Sequence, residues 1–183
     1  MKSRLSFYLV KFPAFSISLF FVLTIIAAII YPGSVREGIG FECEHYSFTH
    51  NFLSELGTFS VNSDEANPFS IKQNNTFSML LFNGSLVLIG FTIVMFYVFF
   101  DKLFLFAGDS KLSVKYARIA KPLGVLAGVM YAGVGLVPHD LHFGVHVFFA
   151  NGAFLALLFL CVFHALAVYR SECLANRYVL GYV

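Results

Sequence analysis

The chain has 183 residues, of which 58% are hydrophobic and only 12% are charged. Its mean hydropathy of +0.79 is too high for a water-soluble domain of this size, so lipid must be the solvent for much of its surface. The formal net charge of +2, with no long run of Lys or Arg, gives no reason to expect a nucleic-acid partner. Three widely spaced cysteines indicate neither a zinc knuckle nor a disulfide framework.

Four apolar segments are long enough to cross a bilayer as helices, because a hydrocarbon core about 30 Å thick needs roughly 20 apolar residues. They cover about residues 13–31, 78–100, 116–137 and 140–168. The sequence therefore predicts an all-α, polytopic transmembrane helix bundle forming a single domain, 1–183, with a long connection at 32–77. The last residues are apolar again, which predicts either a tail that packs along the membrane interface or the start of another span.

The positions of Lys and Arg predict the orientation of the spans, because cytoplasmic loops carry an excess of both. Most of them fall in the N-terminal segment, the second connection and the tail: Lys2, Arg4, Lys11, Lys102, Lys111, Lys115, Arg118, Lys121, Arg170 and Arg177. The 32–77 connection has only Arg36 and Lys72 beside six acidic residues. We therefore expect an integral protein of the cell membrane, with both termini cytoplasmic and the 32–77 connection outside.

A first polar motif, YSFTHNFLSELG, lies at 46–57 in the long connection. At helical spacing its polar residues form one face and its apolar residues the other. The polar residues are Ser47, His50, Asn51, Ser54 and Glu55. Two interpretations are open: an amphipathic helix in the head-group plane with its polar face in water, or the same face turned inward as a site.

A second polar motif, VPHDLHFGVH at 137–146, opens the fourth span. Pro138 fits a first helical turn, and at about 100° per residue His139, His142 and His146 share one stripe. Partial desolvation and the positive end of the helix dipole favour neutral imidazoles there. His164 lies farther along the same stripe and is predicted to make a packed or interhelical polar contact.

These side chains suggest zinc as a cofactor, since neutral imidazole is the form that binds it. His139, His142 and His146 supply three ligands, and Asp140, His50 or Glu55 supplies a fourth. The alternatives are histidines whose hydrogen bonds tie the connection to the bundle, or a pocket for a lipid head group. The charge pattern places both motifs on the same side of the membrane, so we expect them to meet.

Gly124 and Gly128 lie four residues apart in the third span, followed by Ala132 at the same spacing. Small residues at this spacing let another helix approach closely. The pattern predicts helix packing, and the Gly124/Gly128 surface is also the expected contact for a second copy of the chain or for other membrane subunits.

The order of these motifs resembles a large prokaryotic family of membrane proteins catalogued as domain of unknown function 998. The resemblance covers about residues 13–168, including "YSFTHNFLSELG", "NPFS" and "GVGLVPHDLHFGVHVFFANGAF". It implies a six-span protein, two spans more than are visible, and it implies no activity. Its motifs point to Ser54, Glu55 and Gly57 in the connection, and in the second motif to Pro138, Asp140, His142 and His146. Eukaryotic six-span proteins related to the GPI-anchor remodelling factor show a more distant likeness.

Two functions remain open from the sequence. In the first, a non-cytoplasmic pocket that includes Asn51 and Ser54 binds a lipid head group. Its enzymatic version is a metal-assisted lipid hydrolase, in which Glu55 or Asp140 is the base and a metal-bound water attacks an ester. In the second, the chain is a non-catalytic accessory or assembly subunit of a larger membrane complex, and the same residues are interhelical hydrogen-bond partners.

Overall fold

Four long apolar helices run up and down the protein in chain order. The computed structural model describes residues 2–36, 40–62 and 72–181. Its α-helices are α1 (Lys2–Ser6), α2 (Phe12–Ile29), α3 (Thr76–Ala107), α4 (Lys111–Leu136) and α5 (Phe143–Tyr169). A π-helical turn, Phe7–Lys11, joins α1 to α2, and a 3₁₀ helix, Asn176–Gly181, follows α5. Four helices, the first running over Ser3–Ile29, are long and apolar enough to cross a membrane, which confirms the predicted all-α bundle of an integral membrane protein.

Helices α3 and α4 are longer than the apolar segments predicted for them. Lys121 Nζ lies 3.2 Å from Asp101 Oδ1 across the α3–α4 contact, so these charged residues continue the two helices instead of ending them. Gly108 ends α3 in the left-handed conformation, with φ of 68°, and the Ser110 hydroxyl caps α4 by accepting a hydrogen bond from Ser113 N at 3.1 Å. The turn between the helices is therefore short.

Small residues bring α3 and α4 into close contact. A Cβ atom on Gly90 would lie 2.5 Å from Ala132 N, and one on Gly128 would lie 2.6 Å from Gly90 O. Gly124 is covered in the same way by the ring of Tyr97. The predicted helix packing through Gly124 and Gly128 is confirmed, but α3 of the same chain occupies this surface, so it is not open to a second subunit.

The long connection folds over the end of the bundle where α2 ends and α3 begins, here called the connection end. Two short antiparallel pairs flank a 3₁₀ helix, Leu53–Gly57. The strands are β1 (Ser34–Arg36) with β2 (Phe41–Cys43), and β3 (Ser60–Val61) with β4 (Gln73–Asn74). Residues 37–39 and 63–71, including the NPFS segment, lie outside the described residues.

The predicted amphipathic α-helix at 46–57 is wrong. A turn at 48–50 and the 3₁₀ helix occupy this stretch. Asn51 is the physical reason, because its side-chain oxygen accepts a hydrogen bond from Ser47 N at 2.9 Å. Such a local side-chain bond offers the backbone an alternative to helical hydrogen bonding.

Candidate functional site

Three polar residues at the start of α3 hold the 3₁₀ helix in place. Asn75 Nδ2 donates to Leu56 O at 3.3 Å, and Ser78 Oγ donates to the same carbonyl at 3.2 Å. One turn farther along, Asn83 Nδ2 donates to Gly57 O at 2.9 Å. These donors satisfy carbonyls that are buried against α3, where an unmet hydrogen bond is costly. Sequence reasoning missed them, although polar residues inside an apolar span usually face a protein interior.

Gly57 has its own steric reason to be glycine. Any Cβ there would collide with the side-chain amide of Asn83 and approach Phe82 Cδ1 to 3.2 Å. The glycine lets the 3₁₀ helix lie directly on α3.

Asn51 and Glu55, two of the residues predicted to form the site, belong to one hydrogen-bonded network. Asn51 Nδ2 donates to Glu55 Oε2 at 2.6 Å and to Ser34 Oγ at 2.8 Å. Glu55 Oε1 accepts from Phe52 N at 3.2 Å. Both carboxylate oxygens of Glu55 therefore stabilise the turn at the start of the 3₁₀ helix. In this arrangement Glu55 fixes the shape of the connection.

Asp140 links the α4–α5 turn to the connection. Its Oδ2 accepts hydrogen bonds from Phe59 N at 2.8 Å and Ser60 N at 3.2 Å. The two polar motifs meet at this point. Through these two hydrogen bonds the side chain of Asp140 fixes the connection at residues 59 and 60 against the α4–α5 turn.

The predicted helix through Pro138, His139 and His142 is wrong. The N–H groups of Leu141 and His142 both donate to Pro138 O, at 3.1 and 3.2 Å, which closes a turn. Helix α5 begins only at Phe143. His142 caps it, and its Nδ1 accepts from Val145 N at 3.3 Å. The three histidines therefore do not share one helical stripe.

The four histidines predicted to bind zinc do not lie together as one group. The rings of His139 and His146 lie near each other, with centroids 5.7 Å apart. His146 Nδ1 donates to Val137 O at 2.7 Å, since a carbonyl only accepts. His50 instead stacks on Phe41, with ring centroids 4.2 Å apart. His146 thus ties α5 to the end of α4.

The donor atoms do not fit the predicted zinc site. Among the described residues, no group of three or more His, Cys, Asp or Glu side chains is placed to hold a metal ion. His142 is engaged as a helix cap and Asp140 accepts from the connection backbone. Structural zinc needs about four converging ligands and catalytic zinc about three, and the described residues supply neither set.

The pKa of His139 is lowered from its usual value. Burial is the main cause, because desolvation disfavours the charged imidazolium, and nearby His146 adds to it. The carboxylates of Asp140 and Glu55 oppose the shift but do not cancel it. His139 is therefore neutral at neutral pH, as the sequence predicted.

A cavity of about 340 Å³ lies between α3, α4 and α5 below the 3₁₀ helix. Ser54 of the 3₁₀ helix, Asn83 of α3 and His146 of α5 are its polar lining residues. The remaining walls are mostly apolar. They include Tyr131, whose ring carries a hydroxyl, and Val134 of α4, and four residues of α5, namely Ala150, Ala153, Phe154 and Leu157. Ser54 is the predicted pocket residue that the structure places in this cavity together with His146.

The cavity is about one leaflet deep. From His146 to Leu157, α5 advances about 16 Å at 1.5 Å per residue, which is close to half of a hydrocarbon core of about 30 Å. Spread over that length, the volume corresponds to a cross-section of about 20 Å². Phe154 lines the cavity yet is 73% exposed, so its ring marks the border between the cavity and the outer surface.

Farther from the connection end, side chains fill the space between α3 and α5. Tyr97 OH and His164 Nδ1 lie 2.8 Å apart in a hydrogen bond, and the His164 ring stacks on Phe100 with centroids 4.5 Å apart. This confirms the interhelical polar contact predicted for His164.

Comparisons of the chain with protein-family models, curated proteins and solved structures found no match. The resemblance to the six-span prokaryotic family therefore stays a prediction.

Proposed function

We propose that this integral membrane protein binds a membrane lipid at the connection end, with one alkyl chain in the cavity and the head group at its polar mouth. The cavity itself is the observation that carries the proposal. Its volume of about 340 Å³ is in the range of ligand sites in proteins, which starts near 300 Å³.

The shape of the cavity favours a lipid chain over a compact solute. It is narrow, about one leaflet deep and apolar along α5, and it borders the outer surface at Phe154. In a bilayer that surface is covered by lipid, so a chain enters sideways without crossing water. Because the chain comes from hydrocarbon and not from water, its binding depends on van der Waals packing against the cavity walls.

The polar mouth supports a head group above the chain. Ser54 and His146 contribute a hydroxyl and an imidazole, and both suit the ester, hydroxyl or phosphate oxygens of a lipid. His146 Nδ1 is held by Val137 O, so Nε2 is the ring nitrogen that remains for a ligand. The distribution of Lys and Arg supports a non-cytoplasmic location for this mouth, with both termini in the cytoplasm.

Binding without hydrolysis is the form that the geometry supports. The carboxylates of Glu55 and Asp140, the expected bases, both hold the backbone of the connection, and the residues expected to bind zinc do not converge.

A photoreactive phospholipid tests the proposal directly. Purified protein in nanodiscs that contain a phospholipid with a diazirine near the end of one acyl chain is irradiated, digested and mapped by mass spectrometry. We expect labels on the cavity walls, around Ala150 to Leu157 of α5. Ala153→Phe places a ring in the cavity and should reduce this labelling at least fivefold.

Gly84→Phe is the matched control. Gly84 lies on α3 at the depth of the cavity, but no heavy atom lies within 4 Å of a Cβ placed there, so the new ring points away from the cavity. Labelling that survives Ala153→Phe, or that falls equally in both variants, would contradict lipid binding. Co-purification of other membrane chains with both variants, together with unchanged labelling, would favour the accessory-subunit function instead.

A further inference from the structure

A second groove lies at the opposite end of the bundle, beside the short turn between α3 and α4. It has a volume of about 600 Å³. Three cationic side chains of α4, Lys111, Lys115 and Arg118, line it together with apolar side chains of both helices, among them Phe104 and Ile119. It shares no lining residue with the cavity at the connection end.

The three cations lie on one stripe of α4. At about 100° per residue, positions 111, 115 and 118 fall within about 60° of one another. All three side chains are exposed, and in the described part of the chain none of them forms an ion pair with a carboxylate, whereas Lys121, one turn deeper, pairs with Asp101. Like charges at this spacing repel each other, so the stripe is complementary to an anion.

Asp109 also lines this groove, but its carboxylate is already engaged on another segment. Its oxygens accept hydrogen bonds from the Ser171 hydroxyl, from Glu172 N at 2.8 Å and from Ser110 N at 2.7 Å. Burial alone would raise the pKa of Asp109, but these hydrogen bonds together lower it. The carboxylate stays ionised and holds the segment after α5, and the groove keeps a net positive charge.

We propose that this groove binds an anionic phospholipid. The phosphate lies among Lys111, Lys115 and Arg118, and an acyl chain lies against Phe104 and Ile119. The stripe stands at the end of two membrane-crossing helices, which is the level of the head groups in a bilayer. Its cations thus meet lipid phosphates at a distance where each basic residue strengthens binding to anionic lipid about fivefold.

The test compares phosphatidylglycerol with phosphatidylcholine, which share the phosphate but differ in net charge. The purified protein is released from nanodiscs of equal parts of both lipids, and the lipids it retains are counted by native mass spectrometry. We expect wild type to retain phosphatidylglycerol preferentially. The variant Lys111→Gln/Lys115→Gln/Arg118→Gln should lose about 100-fold in phosphatidylglycerol affinity, measured by titration of the lipid into detergent-solubilised protein.

A control with the same loss of charge separates the groove from general attraction to the membrane. Arg4→Gln/Lys11→Gln/Lys102→Gln removes three charges near the same end, since Lys102 Nζ lies over the Phe99 ring and Tyr8 stacks on that ring. This control should keep the preference, as should Lys111→Arg/Lys115→Arg.

Equal loss in the control, or an unchanged preference in the groove variant, would overturn the proposal. If the triple variant fails to fold, the exposed single change Lys115→Gln replaces it, with about fivefold weaker binding expected. Binding in the groove does not depend on the cavity at the connection end. The groove variant should therefore lose the same phosphatidylglycerol affinity when Ala153→Phe is also present.

Discussion

The space between α3 and α5 is filled in one half of the bundle and hollow in the other, although α4 packs along both helices throughout. In the filled half, Tyr97, Phe100 and His164 interlock. In the hollow half, α5 presents Ala150 and Ala153 and leaves about 340 Å³.

The two halves differ in the side chains at the α3–α5 space: large rings interlock in the filled half, whereas Ala150 and Ala153 of α5 line the cavity. Protein interiors are normally packed as densely as organic crystals, with few voids larger than a water molecule. A space of about 340 Å³ between helices, with Ser54, Asn83 and His146 at one end, departs from this dense packing. The filled half therefore gains packing contacts that the hollow half lacks, and lipid binding is proposed for the hollow half.

Replacing one histidine in each half tests whether the two halves differ in packing. His164→Ala takes a buried, hydrogen-bonded and stacked ring out of the filled half. It should lower the free energy of unfolding by about 3 kcal/mol, as for other large-to-small core changes. The measurement is SDS titration in mixed micelles.

His146→Ala is the counterpart in the hollow half. His146 is half-buried beside the cavity and makes one hydrogen bond, to Val137 O, so its loss should lower the free energy of unfolding by only about 1 kcal/mol. Equal effects of the two alanine variants would mean that the halves do not differ in packing.

Two alanines one turn apart on α5 offer a second comparison. Ala156 belongs to the buried cluster around Tyr97 and Phe100, so Ala156→Phe overpacks the core and should lower the free energy of unfolding by about 1–3 kcal/mol. Ala153→Phe places the same ring against the open space of the cavity, so it should lower the free energy of unfolding by clearly less than Ala156→Phe does. If Ala153→Phe destabilises the protein as much as Ala156→Phe, the cavity is not open in solution.

A change at Asn75 tests whether its side-chain amide holds the 3₁₀ helix in place at the mouth of the cavity. Asn75→Asp replaces the amide that donates to Leu56 O and Thr58 O by a carboxylate that repels both, and should lower the free energy of unfolding by about 1–2 kcal/mol. Hydrogen–deuterium exchange should speed up over residues 53–58.

Asn74→Asp controls for the added charge. Asn74 is exposed and its Oδ1 accepts from Thr76 N, a bond that aspartate keeps, so exchange over residues 53–58 should stay as in wild type. Faster exchange in both variants would show that charge, and not the lost amide, opens the mouth.

The smallest expected effect is a pH dependence from His139. Its lowered pKa means that the folded protein takes up this proton at lower pH than the unfolded chain does. As the pH falls below about 6.5, His139 takes up its proton more readily in the unfolded chain than in the folded protein. The free energy of unfolding therefore decreases as the pH falls from there to the folded-state pKa. Wild type should lose about 1–2 °C more in unfolding midpoint between pH 7.5 and 5.5 than His139→Gln, a modest figure because His139 is only half-buried. An identical pH response of both proteins would contradict a buried, neutral His139.

The sequence predicted the helices much better than the site. Apolar length alone located the four spans, because lipid requires every spanning backbone group to be hydrogen-bonded within a helix. The contact of His164 and the packing of Gly124 and Gly128 were also predicted, since polar and small residues in a span usually face other helices.

The two polar motifs were misjudged for a common reason. Helical periodicity in YSFTHNFLSELG and VPHDLHFGVH was read as helix, but side chains of Asn51 and His142 redirect the local backbone. The donors that fix the result, such as Asn75 and Asn83, come from another element. Helical periodicity within one segment holds no information about hydrogen-bond partners from a distant segment. It also does not indicate an empty space such as the cavity.

A cryo-EM map of the protein in lipid nanodiscs would show directly whether a lipid chain occupies the cavity. Lipid binding predicts a continuous rod of density that runs from between Ser54 and His146 down to Leu157, and that disappears in Ala153→Phe. A cavity that holds only separate water-sized peaks, or one closed by movement of α5 onto α3, would contradict it.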